Sequence, residues 1–521
     1  MKHRHQTETL DGDFQTLSER SDILIKVQER LRKLFNRDII IEWDAGSLKI
    51  TFARLNVDSK PYTSGREASG LLHLVGILAA LYDDEVGALL IDEPEVSLHP
   101  QLQAFLLKEM MAAAGDPEQA KKIIVIATHS TEMVRLEKAG DLLSLVFCYD
   151  LNDEPVQIAP EAGELQNRKV QSLLARLGQE HKLSLFSKRP LLVEGPSDVM
   201  ICTALSSKTD LHLEAAGSQL LPVIGKGQMP VVSKLLRLLG KDPVVLADAD
   251  GIADGLDLIN TFLSNNSAAD CSARSGGAGS ATQMASSIYN DFCRLASESW
   301  GEISAVAEQH PYWLNRAETS EDQAKRRAAF CALFDEGDAA SALVASSPDW
   351  VAIKQRLIAL LELLEEAGCF ILRRGSIEAY YQAADRFTSI EKPRAAADEM
   401  EYIEQLSADK IYALYADVMR CINYAANVET ICEAEALRDI LLAVAAPSLG
   451  KLRSGGRTQD IQILAKSLLG ERSNIFDYEV KSGVLIISLK SKVLDVVGFP
   501  MTLCPSDDVV GQVTQALGLD A

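Results

Sequence analysis

Gly87-Ala-Leu-Leu-Ile-Asp-Glu-Pro-Glu95 sets a short apolar run directly before paired carboxylates. A run of that length, bounded by Gly and Pro, reads as a buried strand. A buried strand that delivers carboxylates at its C-terminal end is how α/β proteins present metal ligands. The pattern returns about a hundred residues later, split in two: Leu191-Leu-Val-Glu-Gly-Pro-Ser-Asp198, then Val244-Val-Leu-Ala-Asp-Ala-Asp250. Two such clusters point to two metal-dependent chemistries in one chain.

Around the first cluster, residues 22–37 predict an amphipathic helix. Ile39–Trp43 and Leu48–Phe52 predict a hairpin across Asp44-Ala-Gly-Ser47. Ala68–Tyr82 and Pro100–Ala114 predict helices, the second with Pro in its first turn. Val86–Ile91 and Lys122–Ala127 predict strands. The pattern restarts with strands at 190–193, 220–224 and 243–247, separated by helices at 198–206 and 231–239. Strands alternating with helices mean an α/β fold and a largely parallel sheet.

The composition then shifts. Residues 264–286 are rich in Ser, Ala, Gly and Asn and read as a flexible segment. Helical patterns follow to Leu363, and Cys369–Leu372 resumes a strand, so roughly 255–365 reads as a helical insertion in the second α/β domain. After about 400 the chain reads as helical, with strands at Tyr478–Leu489 and Val493–Val497. The expected domains are 1–175, 176–400 and a C-terminal extension over 401–521.

With 521 residues, 47% apolar and 24% charged, this is an ordinary globular balance. No apolar run approaches the roughly 20 residues of a membrane span, and the polar N-terminus carries no secretory signal; a cytoplasmic protein is expected. Nine scattered cysteines form no CxxC pair, so reduced thiols rather than zinc are expected. A net charge of −22 argues against broad coating of nucleic acid, though not against a local basic groove. The basic pairs Lys188-Arg189, Arg326-Arg327, Arg373-Arg374 and Lys392/Arg394 each read, taken alone, as solvated faces.

At the first cluster, Asp92 can hold Mg²⁺ through water and Glu93 can orient an attacking water. His129, past the 122–127 strand, can contact a γ-phosphate. Ser64-Gly65, shortly before a helix, offers a hydroxyl and backbone N–H groups to phosphate. In this order the residues resemble the ABC ATPases: Ser64-Gly65 as the signature loop, Leu89–Glu93 as Walker B, Ser97–Pro100 as the D-loop, and His129 as the switch histidine. The sequence departs from that family in one respect. None of Gly225-Lys226, Gly240-Lys241 and Gly450-Lys451 completes G-x-x-x-x-G-K-[ST]. Truncation, a split gene or lost ATP binding would each account for this, and ATP hydrolysis by this chain alone is not expected.

At the second cluster, Glu194 follows one strand and Asp198 opens the next helix. Alternation along the strand predicts Asp248 and Asp250 on one side of its end. Such carboxylates suit two Mg²⁺ or Mn²⁺ ions at a phosphodiester. The combination resembles the Toprim domain, and an ABC ATPase followed by Toprim resembles the OLD (overcoming lysogenisation defect) nucleases. That resemblance covers roughly residues 22–400. It implies further that Val223–Gly227 is a Gly-Lys turn, that Phe370–Glu378 is a strand ending in the metal ligand Glu378, and that Lys392 is the catalytic lysine. It also implies a DNA endonuclease or nickase in anti-phage defence, a homodimer, and a companion defence protein. The alternative is a non-catalytic fragment or split-gene subunit acting in dimerisation or ATP-gated partner binding. A topoisomerase or primase is a third reading, without zinc-ribbon cysteines or a distinctive tyrosine to carry it.

Overall fold

The computed structural model describes residues 10–44, 47–55, 60–119, 121–163, 171, 182–223, 226–383, 391–427, 433–494 and 496–519. The chain divides into two compact units, Met1–Asn427 and Val428–Ala521.

The first unit opens with helices Leu10–Glu19 and Ser21–Phe35; the second turns Ile23, Val27 and Leu31 inward. Strands β1 (Arg37–Asp44) and β2 (Ser47–Arg54) form the expected antiparallel hairpin, and β3 (Tyr62–Thr63) adds to β2. The Ser69–Tyr82 helix is apolar almost all round and is buried accordingly. Strands β4 (Ala88–Asp92) and β5 (Ile123–Ala127) pair in parallel, joined through the Pro100–Ala113 helix. One face of this pair packs inward, while Leu90, Ile123 and Val125 remain exposed on the other.

A second parallel sheet has the order β7-β6-β8-β9, formed by β6 (Leu191–Val193), β7 (Leu220–Pro222), β8 (Val244–Ala247) and β9 (Cys369–Ile371). Its alternating side chains feed two separate cores. Leu192, Val245, Ala247, Cys369 and Ile371 join one core with the helices of the insertion. Leu191, Val193, Val244, Leu246 and Phe370 join the other. Both faces are therefore covered, and the strands are apolar at successive positions, as a parallel sheet requires.

The second core recruits Ile403, Ile411, Val418 and Ile422. Helices Lys392–Glu404, Ala408–Leu414 and Ala416–Ala426 thus cover the sheet, past the expected domain end at 400. The helical reading of 255–365 matches the run of helices from Asp257 to Glu366.

Three local expectations need correction. The Ser/Ala/Gly-rich stretch is helical at Ser267–Ser275 and Ala281–Glu298, capped by Asn266 and Ser280. Its small residues pack closely, with Ala269, Ala273, Ala281 and Ala285 buried. Tyr478–Leu489 is two strands, β10 (Phe476–Lys481) and β11 (Val484–Leu489), because Ser482 and Gly483 take positive φ and turn the chain. The third strand, β12 (Met501–Leu503), lies beyond Val493–Val497, whose described residues form no strand. Cys432 lies outside the described residues, and Cys148 and Cys271 are exposed thiols.

Candidate metal centre

The parallel registers bring the C-terminal ends of β6, β8 and β9 to the same edge of the sheet. Glu194 directly follows β6. After Gly195 the Pro196–Lys208 helix begins, and the Asp198 carboxylate accepts the Gly195 N–H at 2.7 Å. Asp248 follows β8, and Asp250 is the first residue of the short Asp250–Ala253 helix. Strand alternation therefore does not place Asp248 and Asp250; a strand-to-helix turn does. Beyond β9, Gly375 O accepts the Ala249 N–H at 2.7 Å, which ties the turn between the two aspartates to the loop leading to Glu378. Glu378 lies in the 3-10 turn Ile377–Tyr380 rather than at the end of β9.

Burial pushes Asp248 well above the ordinary carboxylate range, and the charges of Glu194, Asp198, Asp250 and Glu378 push it further. Burial also lifts Asp198 to about 6, against the lowering effect of the Gly195 N–H. Lys392 Nζ lies 2.6 Å from Glu378 Oε1. Burial disfavours the lysine's charge, yet the Glu378 pairing holds its pKa above the usual lysine value. Lys392 is thus brought to the acidic cluster and half-covered there.

As they stand, no three His, Cys, Asp or Glu side chains among the described residues are close enough to grip an ion. Protein groups occupy several of the carboxylates: Lys392 on Glu378, the Gly195 N–H on Asp198, and Arg327 at 3.9 Å from Asp250. The donors are all oxygen, and Asp248, partly covered, feels the charge of four other carboxylates. That chemistry fits a hard divalent cation, which would offset the mutual repulsion.

Sequence reasoning missed several groups here. Arg327 is buried rather than solvated; it grips Asp254 through both ends of its guanidinium, Nε to Oδ1 at 2.8 Å. Arg373 pairs with Glu365 at 3.1 Å, and Arg374 stacks on Tyr380. Arg189 stacks on Tyr424. Glu399 is fully buried and accepts hydrogen bonds from Gln382 N, Ala383 N and Tyr415 Oη. It fastens the Lys392–Glu404 helix to the segment just after Glu378. An i, i+7 spacing from Lys392 was the only sequence signal for it. Of the Gly-Lys turn, Ile224 and Gly225 lie outside the described residues. Lys241 proves to be a buried clamp, donating to Leu185 O at 2.6 Å and Ser187 O at 2.8 Å. A groove of about 1180 Å³ runs between helices Met229–Leu238 and Asp257–Leu263 and is lined by none of Glu194, Asp198, Asp248, Asp250 and Glu378.

In the first domain, Asp92 and Glu93 end β4 and His129 follows β5. Glu93 takes positive φ and donates its N–H to Ala127 O at 2.9 Å. His129 Nε2 then lies 3.9 Å from Glu93 Oε1, with both side chains exposed. Ser64 and Gly65 occupy a 3-10 turn with open space around Gly65. Ser97 O packs so tightly on Gly70, at the start of the Ser69–Tyr82 helix, that any side chain at Gly70 would clash.

Comparison with known proteins agrees with both halves. Residues 8–135 match the family described as AAA domain, putative AbiEii toxin, Type IV TA system. Residues 185–250 match the family described as overcoming lysogenization defect protein-like, TOPRIM domain. The chain thus joins an AAA-type ATPase domain to an OLD-like TOPRIM domain. It is similar to the Old nuclease of Escherichia phage P2, 27% identical over 184 residues, which are 34% of this chain and 30% of that protein. It is similar to the OLD nuclease of Thermus scotoductus, 26% identical over 187 residues, 34% of each chain. It is also similar to the endonuclease GajA of Bacillus cereus, 28% identical over 144 residues, 28% of this chain and 23% of that protein. The matched regions span a quarter to a third of these relatives' lengths. Among the described residues no helix is long and apolar enough to cross a membrane.

Proposed function

We propose that this chain is a divalent-metal-dependent DNA endonuclease or nickase acting at the carboxylate cluster beyond β6, β8 and β9. The observation that carries this reading is that Glu194 and Asp198 after β6, and Asp248 and Asp250 after β8, lie in turns at one sheet edge, with Lys392 Nζ at 2.6 Å from Glu378 Oε1 beyond β9. The five carboxylates would hold Mg²⁺ or Mn²⁺, which when bound neutralises phosphate charge and activates water. Lys392 would move from Glu378 to a non-bridging phosphate oxygen as negative charge develops there. Glu194 would orient the attacking water. The names of the similar proteins support cleavage of nucleic acid, and we extend the reading to anti-phage defence on the resemblance to the OLD nucleases.

In the ATPase-type domain, Asp92 would take Mg²⁺ and Glu93, with His129 beside it, would face the γ-phosphate of ATP. Ser64 and Gly65 would meet phosphate from their own turn. The 521 residues hold no phosphate-gripping loop of the G-x-x-x-x-G-K-[ST] form, so we assign no ATP hydrolysis to this chain alone. The purified protein is expected to nick supercoiled plasmid in Mg²⁺ or Mn²⁺. Asp248→Ala and Glu194→Ala should each lower the rate at least about a hundredfold with the circular dichroism spectrum unchanged. Nicking at the wild-type rate by both variants would refute the assignment.

A second reading rests on the exposed apolar face of β4 and β5, with Leu90, Ile123 and Val125 uncovered. It makes the chain a non-catalytic subunit that dimerises or binds a companion protein through the ATPase-type domain. Calorimetry with Mn²⁺ separates the two: binding that disappears in Asp248→Ala favours the nuclease, and no binding by the wild type favours the subunit.

A further inference from the structure

The insertion does more than cover one face of the sheet. Its Pro311–Leu314 helix places Tyr312 against the loop that carries the metal centre. Gly375, which bonds Ala249 between the two aspartates, has φ +112, and a side chain there would press on His310 and Tyr312 at 3.0–3.3 Å. His310 Nε2 lies 3.2 Å from Arg374 O, which anchors the same segment. The Tyr312 ring packs beside the Arg327 guanidinium, 5.6 Å from its centroid, and Arg327 reaches Asp254 and Asp250. The carboxylates whose charge bears on the phenol are Asp248, Asp250 and Glu194.

The Tyr312 hydroxyl is buried and has no hydrogen-bond partner among the described residues. A buried phenol ordinarily finds one, because leaving it unpaired forfeits the hydrogen bonds water would have made. The hydroxyl is carried on a ring that borders Gly375, whose carbonyl holds the turn between Asp248 and Asp250. It can offer a proton to an oxygen there without adding positive charge.

We propose that Tyr312 is a substrate-contacting residue of this centre: its hydroxyl donates a hydrogen bond to a phosphate oxygen of the bound DNA strand. Arg327 is the positioning residue that holds the ring in place from the insertion side. The insertion thereby forms one wall of the site. This inference rests on the nuclease reading above, but binding can test it separately from cleavage.

The test compares wild type with Tyr312→Phe, which removes the hydroxyl and keeps the ring. Affinity for a short DNA duplex is measured by fluorescence anisotropy in Ca²⁺, together with plasmid nicking in Mg²⁺, thermal melting, and Mn²⁺ calorimetry. A lost hydrogen bond to a charged oxygen should weaken DNA binding about tenfold. Melting and Mn²⁺ affinity should stay unchanged, which separates a substrate contact from a packing or metal-ligand role. Equal DNA affinity in the two proteins would overturn the proposal. A covalent protein–DNA adduct formed by the wild type and lost in Tyr312→Phe would also overturn it, making Tyr312 a nucleophile. If wild type binds DNA but never cuts it, the nuclease reading fails while the binding comparison still decides on Tyr312.

Discussion

Asp198 shows how one buried side chain couples stability to pH and metal. Burial raises its pKa to about 6 in the folded chain, against about 3.9 when unfolded. Between those values the folded state binds more protons than the unfolded state, so stability falls as pH rises. The penalty is fully present above about pH 6 and absent below about pH 4; its size is on the order of 3 kcal/mol. Without metal, Asp198→Asn should therefore raise the melting temperature at pH 7.5 and leave it nearly unchanged at pH 4. Equal shifts at both values would mean that burial is not what perturbs this carboxylate. The residue types of the cluster could be read in the sequence because Glu-Gly-x-x-Asp and Asp-x-Asp each follow apolar runs. The environment of Asp198 could not, because its burial comes from helices distant in sequence.

At the scale of elements, the Lys392–Glu404 helix is held in register by Glu399. That carboxylate receives two backbone N–H groups and the Tyr415 hydroxyl in a fully buried place. Glu399→Ala would strand these donors and cost about 3 kcal/mol or more. It should also free the helix that carries Lys392, so plasmid nicking should fall even where melting shows the protein folded. Unchanged nicking at such a temperature would separate Lys392 from this fastening. The strands, their order in sequence and the hairpin β1–β2 followed from apolar periodicity and turn residues. Composition misled at 264–286, where Ser, Ala, Gly and Asn looked like linker. There Ala269, Ala273, Ala281 and Ala285 are small because the packing is close. The turn at Ser482-Gly483 is marked in the sequence only by that dipeptide, between the alternating Phe476–Lys481 and the apolar Val484–Ile487.

At the scale of the whole molecule, the unit Met1–Asn427 carries a partly covered set of carboxylates whose charges oppose one another. A cation that binds the folded chain alone adds about 2.7 kcal/mol of stability at a hundredfold excess over its dissociation constant. Mn²⁺ should accordingly raise the melting temperature and EDTA should reverse the rise. The Asp248→Ala variant should show no such response, as followed by differential scanning fluorimetry. A rise of the same size in that variant would place the ion elsewhere.

The sequence by itself determined the α/β class and the turns that carry both sets of carboxylates, because these features are local. Each is a short apolar run followed by a turn and the side chains of that turn. Tertiary structure alone decided which charges meet. Arg327 reaches Asp250 and Asp254 across 77 and 73 positions. Glu399 holds the segment after Glu378, and Tyr312 meets Gly375 from within the insertion. Spacing along the chain cannot encode these meetings, since they arise only once helices from the insertion and from 392–426 close over the two faces of one sheet.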